Sequence, residues 1–184
     1  TAFEEQDDDS FITGTTASRR VRGSAFDIGA TASLALPLRP SLSAGYARGS
    51  SGFRQTGLHE NKTRIGGVKR WQRYGELLKP DLANLSVATL GAGVRVLENS
   101  SVELVAHRYR QVRAADSLAG ARLSADPQGS RRAVGREVDL LVAVREWKHV
   151  EFTLKASHFK PGAAFAADQR DAARAVEVGV SVNF

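Results

Sequence analysis

The stretch V-E-V-G-V-S-V-N-F (176–184) alternates without a break: Val176, Val178, Val180, Val182 and Phe184 are separated by Glu177, Gly179, Ser181 and Asn183. A period of two sends successive side chains to opposite faces of a strand and is incompatible with a helix of 3.6 residues per turn. The same pattern recurs along the chain. Phe26, Ile28, Ala30, Ala32, Leu34 and Leu36 oppose Asp27, Gly29, Thr31 and Ser33. The proline-flanked P-L-R-P (37–40) interrupts this run, because proline donates no ladder hydrogen bond. Leu42, Ala44 and Tyr46 then share a face, as do Ala88, Leu90, Ala92, Val94 and Val96. Three further runs follow, led by Val102–Leu104–Ala106, by Val138–Leu140–Val142–Val144 and by Val150–Phe152–Leu154–Ala156. Helical periodicity is scarce, so the chain is predicted to be all-β and antiparallel, with seven or eight strands.

The connections alternate in length. Short turns are predicted at 37–40, 97–100 and 146–149; long polar segments, rich in Gly, Arg and Asp, at about 49–83, 112–134 and 160–173. A soluble sandwich has no reason to keep every second connection short, whereas an outer-membrane barrel does, with short periplasmic turns and long outer loops. The two faces agree with that reading. One face is Val, Leu, Ala and Phe; the other holds Asp27, Arg95, Glu103, His107, Asp139, Arg145, Glu151, Lys155 and Glu177. An apolar band suits lipid and a charged face suits a wet lumen. The bland reading of inward Asp139, Glu151 and Glu177 is cross-strand pairing with Arg145 and Lys155. A mean hydropathy of −0.27 fits strands that are half wet.

Composition narrows the partners. The 184 residues carry 26 Lys+Arg against 20 Asp+Glu, for a formal net charge of +6, and 20 of the 26 cations are arginine. Guanidinium favours planar recognition of carboxylate or phosphate, which leaves nucleic acid, an anionic surface and an acidic polymer as partner classes. The absence of cysteine excludes disulfides, thiolate metal sites and cysteine nucleophiles. The absence of methionine is read as a processed product or a piece of something longer, and the acidic first residues contain no signal-peptide pattern. No apolar run reaches the roughly 18–20 residues of a spanning helix.

Motifs of catalysis are missing: there is no G-x-S-x-G, P-loop or dinucleotide fingerprint. An outer-membrane lipid-modifying enzyme is therefore the weakest alternative. The four histidines (59, 107, 149, 158) lack metal-ligand spacing. D-D-D (7–9) supplies hard oxygens of the kind calcium takes in an outer loop, against the plainer reading of a solvated acidic run. The G-x-G at 91–93 falls mid-strand and is read as small residues that make lumen space. Between 53 and 85, Arg54, Lys62, Arg64, Lys69, Arg70 and Arg73 interleave with Phe53, Trp71 and Tyr74. Three readings stand for this segment: a soluble basic β-protein's nucleic-acid surface at 53–74, an outer loop that meets lipopolysaccharide phosphates, or a segment folded into a pore.

Several motifs carry a family resemblance: F-R-Q-T-G-L-x-x-N, R-Y-G-E-L-L-x-P-x-L-x-N-L, S-V-E-L-x-x-H-R-Y-R-Q, A-D-P-x-G, G-R-E-V-D-L and F-K-P-G-x-A-F. From about Phe53 to Phe184 the sequence resembles the alginate-export outer-membrane porins. The resemblance implies an eighteen-stranded monomeric transmembrane barrel, of which this chain is the carboxy-terminal portion. It implies a bacterial outer-membrane location, an arginine-lined electropositive pore and no catalysis. The implied partners are alginate as transported polyuronate, outer-membrane lipid and periplasmic alginate-secretion proteins, with no nucleic acid and no cofactor. The terminal aromatic then resembles the barrel-assembly signal. Arg54 and Arg64 match positions expected among the family's constriction arginines; Arg145 and Lys155 are added from strand parity alone. The same parity leads us to expect that Ala143 and Ser157 meet water.

Overall fold

The computed structural model describes residues 22–55, 61–123 and 125–184. The acidic run 7–9, His59 and part of the F-R-Q-T-G-L-x-x-N motif lie outside the described residues. Among the described residues nine strands form, in chain order β1 (Ala25–Ser33), β2 (Ser41–Gly49), β3 (Lys62–Thr63), β4 (Trp71–Gln72), β5 (Leu85–Leu97), β6 (Ser100–Gln111), β7 (Ala133–Trp147), β8 (Val150–Pro161) and β9 (Ala173–Val182). Seven of them build one antiparallel sheet in the order β1-β2-β5-β6-β7-β8-β9, and β3 and β4 pair separately. β1 and β9 are the edges, so the sheet is open.

The alternation selects this arrangement because each strand of the seven-stranded sheet has one face that is mainly apolar through its middle. Two-residue turns at Glu98–Asn99 and Lys148–His149 join β5 to β6 and β7 to β8. The proline-bracketed turn before β2 uses Leu38 and Arg39 at positive φ (63° and 39°) and closes through a Leu34 N to Pro40 O hydrogen bond of 2.9 Å. The connections at the other end run over 50–84, 112–132 and 162–172. Register shifts occur near the strand ends, at Arg95/Leu97, Tyr109/Arg110 and Val144/Trp147.

The two faces differ sharply. Through the middle of the seven strands, even-numbered positions point outward, and large aliphatics stand exposed there: Ile28 68%, Leu90 66%, Leu104 53%, Val178 61%. Odd-numbered positions point inward and are mostly buried from β2 to β8. What covers them is the segment 61–84, laid across the inner face. Two apolar clusters result. One joins Leu78, Leu82 and Tyr74 of the segment to Leu85, Tyr109 and Phe159 of the sheet. The other joins Ile65, Val68 and Trp71 to Val105, Leu141 and Ala143.

This covering changes the expected character of the interior. Ala143 and Ser157 are buried at 0% and 7% exposure and do not meet water. The room left by Gly91 is filled by protein: a Cβ there would come within 2.6 Å of Ile65 Cγ2. Trp71 and Tyr74, at 2% and 7% exposure, are part of the packing. They are unavailable to stack on bases, which takes two of the three rings away from the expected nucleic-acid surface at 53–74.

Candidate functional site

Buried carboxylates hold the segment in place. Glu103 on β6 accepts from Gly67 N at 3.0 Å and from the Trp71 indole at 2.6 Å. Glu137 on β7 accepts from Leu77 N at 2.7 Å and Leu78 N at 3.0 Å, and Tyr109 Oη lies 3.1 Å from it. A carboxylate taken out of water is stabilised by donated hydrogen bonds, and here the donors are orphan backbone amides of an irregular segment. Gly75 (φ +98°) permits the turn between these anchors, and a Cβ there would press against the Glu137 carboxyl carbon at 2.8 Å. Asp139 receives Glu76 N at 3.4 Å and stands 3.6 Å from His107 Nε2, whose Nδ1 meets Thr89 Oγ1 at 3.0 Å. Asp139 is therefore not paired with Arg145 or Lys155.

Where the segment turns away from the sheet it leaves a groove of about 490 Å³, lined by Lys62, Arg64, Lys69 and Arg70 on its own side and by Arg145 and Lys155 on the sheet. Three acids share the neighbourhood. Arg145 Nε pairs with Glu151 at 2.9 Å, Lys155 Nζ with Glu177 at 2.8 Å and with Glu76 at 3.3 Å, and Lys69 with Glu151. Glu151 and Glu177 thus pair across strands as the sequence suggested. Lys69 Nζ also sits 5.9 Å from the Trp71 ring centroid. Burial, followed by the charges of Arg145, Lys155 and Lys62, holds the Lys69 ammonium below its ordinary value. Beside the groove, Tyr74 Oη meets Asp27 at 2.7 Å and Arg73 pairs with the same carboxylate. Burial, then the Asp27 contact, pushes the Tyr74 hydroxyl well up.

The four sequence-derived site residues separate in space. Arg64, Arg145 and Lys155 line one groove. Arg54 does not line it: its guanidinium turns onto the carbonyls of Ser51 and Phe53 at 3.3 and 3.0 Å. Sequence reasoning missed Lys62 and Lys69 as partners of Arg145. It also missed Glu103 and Glu137 as anchors. Leu77–Leu78 beside Gly75, two adjacent aliphatics inside a basic stretch, was the available sign that the segment packs inward. Among the described residues no cluster of three or more His, Asp or Glu is placed to hold a metal.

The profile of the family described as "Alginate export" matches residues 9–178. The chain belongs to the alginate-export family. Curated relatives agree with the family assignment. The chain is 34% identical over 106 residues to the "Alginate production protein AlgE" of Pseudomonas aeruginosa, covering 53% of the chain and 22% of that relative. It is 29% identical over 150 residues to the protein of the same name from Pseudomonas syringae pv. tomato, covering 73% of the chain and 30% of that relative. The Azotobacter vinelandii protein of that name is 30% identical over 120 residues. The chain spans less than a third of the length of each of these relatives.

Proposed function

We propose that the sheet is part of a larger outer-membrane β-barrel through which alginate leaves the cell, and that the groove of Arg64, Lys69, Arg145 and Lys155 is part of the polymer's path. The observation that carries this reading is the division of one sheet into an exposed aliphatic outer face and an inner face with a cationic groove. Lipid would cover the first and water would fill the groove of the second. Further strands beyond β1 and β9 close the barrel, which is monomeric, and periplasmic secretion proteins hand the polymer to it. The conduit is passive; no residue is asked to do chemistry.

The groove suits a polyanion because its cations are partly compensated. Guanidinium holds a carboxylate in a planar fork and stays charged at every working pH. Glu76, Glu151 and Glu177 keep each cation from binding any one carboxylate too tightly, so a chain of uronates can exchange from site to site. Conduction needs this combination of favourable entry and weak, repeated binding.

Planar-bilayer conductance of the full-length protein tests the path. Arg64→Glu and Arg145→Glu are expected to lower anion preference and alginate secretion while leaving folding intact, since opposite charges about 4 Å apart interact by roughly 4 kcal/mol at an effective dielectric near 20. The effect should shrink with added salt, because exposed charges are screened over about 8–10 Å. Unchanged selectivity and secretion in both variants would remove the groove from the path and leave the barrel reading standing.

A further inference from the structure

The outward face carries a second charge pattern that export does not use. At the long-connection end of the sheet, the charged side chains at even-numbered strand positions are all basic. Arg108 and Arg110 on β6, Arg136 on β7 and Lys160 on β8 stand exposed there, flanked by Arg48 on β2 and Arg174 on β9. Among the described residues the one acid at an even-numbered strand position is Glu146, at the opposite, short-turn end of β7, where it accepts from Asn99 N and Ser100 Oγ. All these cations lie at the long-connection end, just beyond the aliphatic band.

Their register is costly by itself. Arg108 is directly opposite Arg136, which is directly opposite Lys160. Adjacent strands are about 4.8 Å apart, and like charges in direct cross-strand register repel. None of the three side chains has an ion pair or side-chain hydrogen bond among the described residues. Two concavities open along this tier. One of about 660 Å³ is lined by Arg108, Arg110, Arg113, Arg131 and Arg132; the other, of about 360 Å³, by Arg108, Arg136 and Lys160. The cations also step down the cross-strand rows. Arg48 and Arg110 share a row through Ser86, Arg108, Arg136 and Lys160 share the next, and Arg174 lies opposite His158 in the one after. Barrel strands lean by about 35–45°, so a line of constant height crosses rows in this stepped way.

We infer that this tier binds the phosphate groups of phosphorylated lipid headgroups in the outer leaflet, two or more phosphates per lipid being bridged by Arg108, Arg136 and Lys160. The inference rests on the barrel reading above. Guanidinium groups at strand spacing donate forked, charge-assisted hydrogen bonds to phosphate oxygens, and the bound anion offsets the repulsion along the row. The position, outside the barrel and against the aliphatic band, selects a lipid over a soluble anion.

The test uses full-length protein folded in a neutral detergent, with diphosphorylated lipid A as the added probe and native mass spectrometry as the readout. Wild type should retain the lipid, and the triple variant R108Q/R136Q/K160Q should lose about tenfold or more of that binding. Monophosphorylated lipid A should bind more weakly and the dephosphorylated lipid not at all. Arg39→Gln with Lys148→Gln, at the opposite rim, should change nothing. Heat-modifiable gel mobility reports barrel folding separately, and Arg→Lys replacements at 108 and 136 supply a charge-preserving variant should the triple variant fold poorly. Equal retention by wild type and a folded triple variant overturns the inference, as does full displacement by pyrophosphate or by alginate oligomers. If the wild-type protein folds and stays soluble with neither detergent nor lipid, the barrel reading itself fails and takes this inference with it.

Discussion

Glu137 and Glu151 sit on neighbouring strands, both facing inward, and have opposite fates. Glu137 is fully buried and accepts its hydrogen bonds from the backbone amides of Leu77 and Leu78. Glu151 is partly exposed and meets Arg145 and Lys69. The first carboxylate is a structural anchor beneath the inserted segment; the second tunes a wet groove at its margin. One inner face thus contains a half packed under chain and a half with an open charged groove, and the segment 61–84 draws the line between them. An inward charge in a barrel is therefore not by itself a lumen charge. Its role depends on whether chain or water lies over it.

The sharpest break of this comparison is Glu137→Ala. Orphaning two buried N–H groups costs about 1–3 kcal/mol each, so the segment should loosen from the sheet. Trypsin should then cut at Arg70, Arg73 or Lys79 in folded protein, and bilayer conductance should rise. An intact segment after this change would mean that the apolar cluster around Leu78 holds it alone.

Next in size is the contrast between the faces. Leu140→Arg on the outer face should cost about 2–4 kcal/mol if it lies near mid-bilayer, read from urea unfolding out of vesicles. Ala143→Arg, one strand position class away, should also be severe, but for a different reason: Ala143 is packed in the Trp71 cluster, and overpacking distorts the segment. The two are separable, because only Leu140→Arg should depend on bilayer thickness.

The smallest effect belongs to the exposed pair. Glu177→Gln removes a partner of Lys155 whose side chain is 62% exposed, and exposed pairs contribute about 0–1 kcal/mol. Stability should barely move while anion preference rises slightly, since one compensating acid has gone. Arg54→Glu should alter selectivity less than Arg64→Glu, because Arg54 is tied to nearby carbonyls outside the groove.

Much of the fold was legible because period two is a local signal. Val138, Leu140 and Val142 declare an outward face within five residues, and no distant contact is needed to read it. The turn positions were legible for the same reason, as Pro37 and Pro40 interrupt the ladder wherever they occur. The groove was legible only in part: parity alone gave Arg145 and Lys155, while the segment opposite them had three readings of similar merit.

What the sequence determined by itself is the alternation of the strands, the sign of each face and the supply of arginine. What only the tertiary structure decided is which inward carboxylate does what. Glu103, Glu137, Glu151 and Glu177 are alike as letters in alternating strands. Leu77 reaches Glu137 across 60 residues and Gly67 reaches Glu103 across 36. Those long-range hydrogen bonds form because an irregular segment must satisfy its amides once it is buried, and the nearest acceptors are acids on the sheet beneath it.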